Sequence, residues 1–434
     1  MLKEQESVHG KSGVQPPLLM FLLLSSSFGP YVVGPLRLEH FIVYPAVLVA
    51  VFYFALNKKL IFHSAPLFLF SIFFINLAWS AISHGAIFRF SGISLAALEN
   101  YMQPAAMSLV MLWLMHGRSS EVVASWLKPT CLTILILFSV NAVVSLANMF
   151  GYLLWIERIF VRGVDVYGNS VWFNSAVMGR YPGVFGQPFE AGFGYSIALL
   201  SFGYLAATRQ ATLFSGLCAG LVIVGGFLSV SKVFIGIGLP IFVLYLICAG
   251  AFRSKKFVAL VSIIFIASVF IGVRSVSEWD GLSYFLRLFD ASNYQADNFL
   301  ATISANRFSS TDSGAASGIL IVISQSPLGG FGFQEPDFAL DSAFTEAMWR
   351  GGLFGLIIYS SGLIFLLFFG VYRFRNGNAE RLMYLSLVFI IFFAGLGGPT
   401  FTINRVSVVL IILLMVVLNS RGARKIDFSD SVSG

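Results

Sequence analysis

The chain has little charge. Lys, Arg, Asp and Glu supply 11% of its 434 residues, against about 25% in a soluble domain, which excludes an ordinary water-facing shell. Cysteine is scarce: Cys131, Cys218 and Cys248 all lie inside apolar stretches. That placement excludes a disulfide framework and a thiolate metal site and leaves a structural role. The five His, at positions 9, 40, 63, 84 and 116, are scattered without an HExxH or paired spacing. No catalytic zinc, other metal or cofactor is therefore expected. A P-loop is missing too. Gly329-Gly330-Phe331-Gly332 lacks the Lys-Ser/Thr ending and reads as a tight turn that folds a loop back. The net charge of +7 is dispersed through short connections, which excludes a nucleic-acid footprint. The N-terminus, with Lys3 and Lys11 flanking Glu4 and Glu6, is not expected to be a cleavable leader.

What is present is apolar. Hydrophobic residues make up 57% and Phe alone numbers 46; mean hydropathy is +0.85. Apolar runs occupy 15–34, 41–56, 64–82, 101–116, 129–153, 189–207, 211–229, 233–250, 256–273, 343–370, 381–397 and 401–418. A run of about 20 such residues crosses the hydrocarbon core as a helix, because its backbone groups must be satisfied internally. The expected fold is an all-α polytopic integral membrane protein, a single transmembrane domain over 1–434 with about twelve helices. Two large loops interrupt it, 154–188 and 274–342, the second partly helical. Long loops among minimal ones usually carry function.

Orientation follows from the cations. With the N-terminus in the cytoplasm, 16 of the 27 Lys and Arg fall on the inner side, including the clusters at 253–256, 373–381 and 421–425. Of the 20 acids, 14 fall outside. Both termini are then cytoplasmic, and both large loops face outward, away from ATP and nucleotide sugars.

The outer cations call for an explanation other than topology. Arg37, Arg89 and Arg274 read as ordinary solvated loop charges. Lys232, in Gly225–Gly238, sits in a short junction between two spans and needs an anionic partner or a snorkelling route. Arg180 opens Arg-Tyr-Pro-Gly-Val-Phe-Gly-Gln-Pro-Phe-Glu-Ala-Gly, and Arg307 precedes the short apolar stretch Gly318–Ser324. Such cations beside outward helix ends suit a phosphate or diphosphate. Carboxylates accompany them: Glu190, Asp341 and Glu346. The last two are five apart, about 140° round a helix, so they would not share a face.

Three segments together resemble the bacterial O-antigen polymerase and ligase superfamily, the Wzy-type polysaccharide polymerases in particular. Arg180–Gly192 is similar to the family's R-x-x-G-x-F-x-x-P segment. Leu228–Lys232 looks like its Ser-Arg junction, with Lys for Arg. Arg307, then Ser326–Phe333, then Asp341–Gly355 matches an Arg, a "P-L-x-G-x-G" and an "H-N/S-x-x-x-E-x-x-x-x-G-x-x-G". Asp341 stands where the ligases carry His, which weighs against the ligase branch.

The resemblance implies a membrane glycosyltransferase of the bacterial inner membrane. It would join undecaprenyl-diphosphate-linked repeat units on the outer face, with inversion and without a metal. Chain-length regulators and a repeat-unit flippase are implied partners. Lys232, Arg180 and Arg307 would stabilise the departing diphosphate electrostatically. Asp341 or Glu190 would take the acceptor proton, a contribution of about 10²–10⁴-fold. In the second loop Trp279, Tyr284 and Tyr294 suit stacking on sugars. Two other readings stand beside this one: an O-antigen ligase, and a lipid-linked sugar flippase or transporter, which would want ionisable residues at mid-span.

Overall fold

The computed structural model describes residues 16–33, 36–57, 60–88, 91–161, 170–253, 314–336, 338, 340, 342–373, 379–419 and 425–427. It is mostly helical, 76%, with almost no sheet. In chain order the first helices are α1 (Pro16–Ser26), α2 (His40–Leu56), α3 (Ser64–Phe88), α4 (Leu95–Met115), α5 (Ser120–Ser125) and α6 (Leu127–Met149). Two short helices, α7 (Ile156–Phe160) and α8 (Val171–Val177), lie in the first large loop. Then come α9 (Pro188–Ala207), α10 (Leu213–Leu228), a π-helical turn (Phe234–Gly238) and α11 (Leu239–Cys248). The rest are α12 (Gly314–Gln325), α13 (Ala343–Arg373), α14 (Ala379–Gly395) and α15 (Asn404–Asn419). Two small antiparallel pairs complete the list: β1 (Tyr31–Val33) with β2 (Leu36–Arg37), and β3 (Ile61–His63) with β4 (Lys425–Asp427).

Each expected span except 256–273 overlaps one of these helices. That span and the second large loop up to Ser313 lie outside the described residues. The stretch Gly318–Ser324, too short to span, is part of α12. Among the described residues, three segments are long and apolar enough to cross a membrane: Ser64–Ile87, Ser120–Met149 and Ala343–Val371. Their flanks expose large apolar side chains, among them Phe74, Ile75, Val140 and Phe368. Contiguous apolar surface of this kind belongs against lipid.

Local signals set several helix starts. Ser94 caps α4 by accepting from the Ala97 N–H, and Thr212 with Ser215 forms a reciprocal box at the start of α10. At the centre stand α9 and α15. Every residue of α15 from Val406 to Leu418 is buried, as a helix apolar all round requires. It packs on α4, α5, α6, α9 and α14. In α9, small residues admit neighbours closely: Gly194 faces the Phe138 ring and Gly203 the Tyr245 ring. Cys131, Cys218 and Cys248 are all free thiols.

Candidate functional site

One end of the bundle gathers the buried charge. There α2, α4, α9, α13 and α15 begin, and α3, α6, α10 and α14 finish. Contacts between the connecting segments join several of these ends. Arg405, at the start of α15, donates to the Val184 and Phe160 carbonyls. Ser342 Oγ, just before α13, donates to Gly395 O at the end of α14, 3.0 Å away.

The first network surrounds Arg37. Its Nη2 lies 2.7 Å from Glu39 Oε1 and 2.8 Å from Glu99 Oε1. His40 Nε2 is 2.6 Å from the same Glu99 oxygen. Gln103 donates to Glu39 Oε1 at 2.7 Å and accepts from Ser407 Oγ at 2.9 Å, so the network reaches from β2 through α2 and α4 to α15. Burial works against the Arg37 charge, yet Glu39 and Glu99 outweigh it and hold its pKa above the ordinary value. Arg37 is 2% exposed, so its reading as a solvated loop charge is corrected: a guanidinium this deep needs its carboxylates. Glu39, His40 and Glu99 have ligand atoms close enough to hold a metal ion. The Arg37 guanidinium occupies the cation's place among them, so the group reads as an ionic network. Arg89 and Arg274 lie outside the described residues.

The second network surrounds Glu190, in the first turn of α9. Glu190 is 3% exposed. Its Oε2 accepts from Gly186 N at 3.2 Å, and its Oε1 is buried with no hydrogen-bond partner among the described residues. Arg405 and Arg37 supply the nearby positive charge. Arg405 also stacks over the Tyr31 and Phe160 rings, 5.7 and 5.6 Å from their centroids.

Two of the segments singled out in the sequence meet here. Tyr181 N donates to Leu228 O at 2.9 Å, and Arg180 Nη2 reaches Val230 O at 3.4 Å. Val230 adopts φ 43°, a strained backbone for a β-branched residue. Buried Ser229 and Ser231 flank it, and Ser231 fills the notch left by Gly192 of α9. The π-helical turn follows at once, a feature frequent at functional sites. Arg180 is half-buried and Lys232 exposed.

The third segment docks on a break in α13. Gly352 leaves the helical region at φ 61°, ψ −153°. The freed backbone groups find partners in the Gly-rich turn. Phe331 N donates to Trp349 O at 2.6 Å, Gly332 N to Arg350 O at 3.1 Å, and Leu353 N to Pro327 O at 2.8 Å. Trp79 Nε1 donates to Gly351 O at 2.9 Å. Partners of this kind are what a broken helix in lipid requires. A Cβ at Gly352 would strike the Leu328 backbone. The turn also orders Arg350, whose Nη1 donates to Gln334 O at 2.6 Å, and His84, whose Nδ1 accepts from Phe333 N at 3.2 Å. Glu346, in the first half of α13, accepts from Thr402 Oγ1.

Of the predicted site residues, Glu190, Arg180 and Lys232 are described. Asp341, Arg307, Trp279, Tyr284 and Tyr294 lie outside the described residues. Arg180 and Lys232 share one junction, whereas Glu190 turns toward Arg405. Sequence reasoning missed Arg37, Glu39, Glu99 and Arg405 as a set. Their common signal is a charge beside or within the first turn of an apolar run. No family model matches the chain, and no curated protein is similar to it.

Proposed function

We propose that the chain is a polysaccharide polymerase of a bacterial inner membrane. In this reading it joins undecaprenyl-diphosphate-linked repeat units on the outward face by inverting transfer that needs no metal. The observation that carries the reading is the meeting of Arg180–Gly192 with Leu228–Lys232 at one bundle end, since these are two of the segments that resemble the polymerases. The strained Val230 and the π-helical turn mark that junction as held for a purpose other than packing.

Lys232 and Arg180 then flank the leaving diphosphate and offset its developing charge, together with Arg307. Glu190 is too deeply buried, and too closely tied to Gly186 N, to meet a sugar hydroxyl. It suits holding the turn that carries Arg180, which leaves Asp341 as the base in this reading. Trp279, Tyr284 and Tyr294 would stack on the glycan. A chain-length regulator and a repeat-unit flippase would be its partners.

The test is deletion of the gene, followed by gel analysis of the surface polysaccharide. Core bearing a single repeat, with the long ladder gone, supports the polymerase. Bare core with lipid-linked polymer accumulating means a ligase. Lys232→Ala should lose the ladder while the protein stays in the membrane; a full ladder in that variant removes Lys232 from the site.

One observation favours a second reading, a lipid-linked sugar flippase or transporter. A discontinuous helix with buried charge beside it is how transporters build their sites. An unchanged ladder on deletion would bring this reading forward.

A further inference from the structure

Behind the break in α13 lies a small cavity. Its wall includes Asn76 of α3, Tyr101 of α4, Glu346 and Tyr359 of α13, and Thr400 and Thr402 from the segment before α15. Every polar group named there offers oxygen, and Glu346 is the acid among them. Arg350, one turn further along α13, makes no ion pair with Glu346 among the described residues. Its guanidinium goes to Gly332 O and Gln334 O instead. The Asn76 Oδ1 is buried with no hydrogen-bond partner among the described residues. A buried acceptor without a donor is destabilising, so it calls for an explanation.

We infer that this cavity is a binding site for one monovalent hard cation of the sodium type, held by Glu346, Asn76 Oδ1 and the Thr402 hydroxyl. Three features support it. The ligands are hard oxygens, which suit alkali and alkaline-earth ions. One carboxylate among neutral oxygens, with the Arg350 charge already close to it, leaves room for a single positive charge at most, where a divalent ion in a dry site would call for more carboxylates. The site adjoins an interrupted helix, the backbone arrangement that coordinates sodium in other membrane proteins. Asn76 Oδ1 also lies close to Gly355, whose neighbour across the break is the Ala347 carbonyl. Ion binding would tie α3 to the first half of α13 and to the segment before α15. The inference does not depend on the polymerase reading.

The experiment is a thermal-melting titration of the full-length protein in detergent, with sodium chloride against choline chloride at constant ionic strength. A ligand that binds only the folded state raises the melting temperature in a saturable way. Sodium is expected to do so and choline is not. Glu346→Gln should abolish the sodium-dependent rise, and Asn76→Ala should raise its midpoint concentration about tenfold, the effect of roughly 1.4 kcal/mol of lost affinity. If Glu346→Gln does not fold, Thr402→Val carries the same test, with a raised midpoint expected. Coincident sodium and choline curves in the unaltered protein would mean that the cavity holds water only, and would overturn the site. So would an unchanged sodium midpoint in the cavity variants.

Discussion

Helices α13 and α15 are both apolar, yet they are built for opposite tasks. Helix α15 is 16 residues without an interruption, buried from Val406 to Leu418. Its polar groups sit at its ends, where Arg405 and Ser407 join the networks. Helix α13 is 31 residues, breaks at Gly352, and exposes Ile357, Ile364 and Phe368 on its outer flank. Its first half carries Glu346 and Arg350, both buried. An uninterrupted helix satisfies its own backbone and asks only for close packing. An interrupted one frees backbone groups, which then need a turn and a Trp from elsewhere in the chain. The polar side chains that α13 brings inside come with that break. Stability is concentrated in α15; chemistry has room in α13.

The sharpest way to break the comparison is Leu413→Ala, at the centre of α15. It leaves a cavity that the surrounding helices cannot close, and should cost about 2–5 kcal/mol, read as a lower denaturation midpoint in detergent. Gly352→Ala comes next. It places a Cβ against the Leu328 backbone at positive φ and should cost about 1–3 kcal/mol. It should also loosen the Gly-rich turn, seen as faster proteolysis between Ser326 and Phe333. A break that tolerated alanine with no change in either readout would mean that α13 is only nominally interrupted. Phe368→Ala, on the outer flank and 67% exposed, should stay within about 0.5 kcal/mol. A larger loss there would mean that this flank meets protein instead of lipid.

The helices were legible in the sequence because long apolar runs have few structural options in a membrane. The candidate site was legible only in pieces. Arg180 and Lys232 stood out as cations beside outward helix ends, and the Gly-rich stretch stood out as a turn. That this turn fills a break in α13 was not legible, because a contact that seats it, Phe333 N to His84, joins residues 249 positions apart. Arg37 was misread for the same reason. Glu39 lies two residues away, but Glu99 is 62 positions on, and no periodicity links them.

By itself, then, the sequence determined that the chain is helical and apolar, and which residues carry charge near helix ends. It did not determine which apolar helix goes to the middle. Lipid tails are about as apolar as Leu, so an apolar face gains little by choosing protein over lipid. Composition therefore cannot separate α15 from α13. The tertiary structure decided that, through groups that do discriminate. Arg37, Glu39, Glu99, Glu190 and Arg405 must find partners before they can be buried, and the opened backbone at Gly352 must find donors and acceptors. Those demands set which helix ends meet, and the apolar surfaces follow.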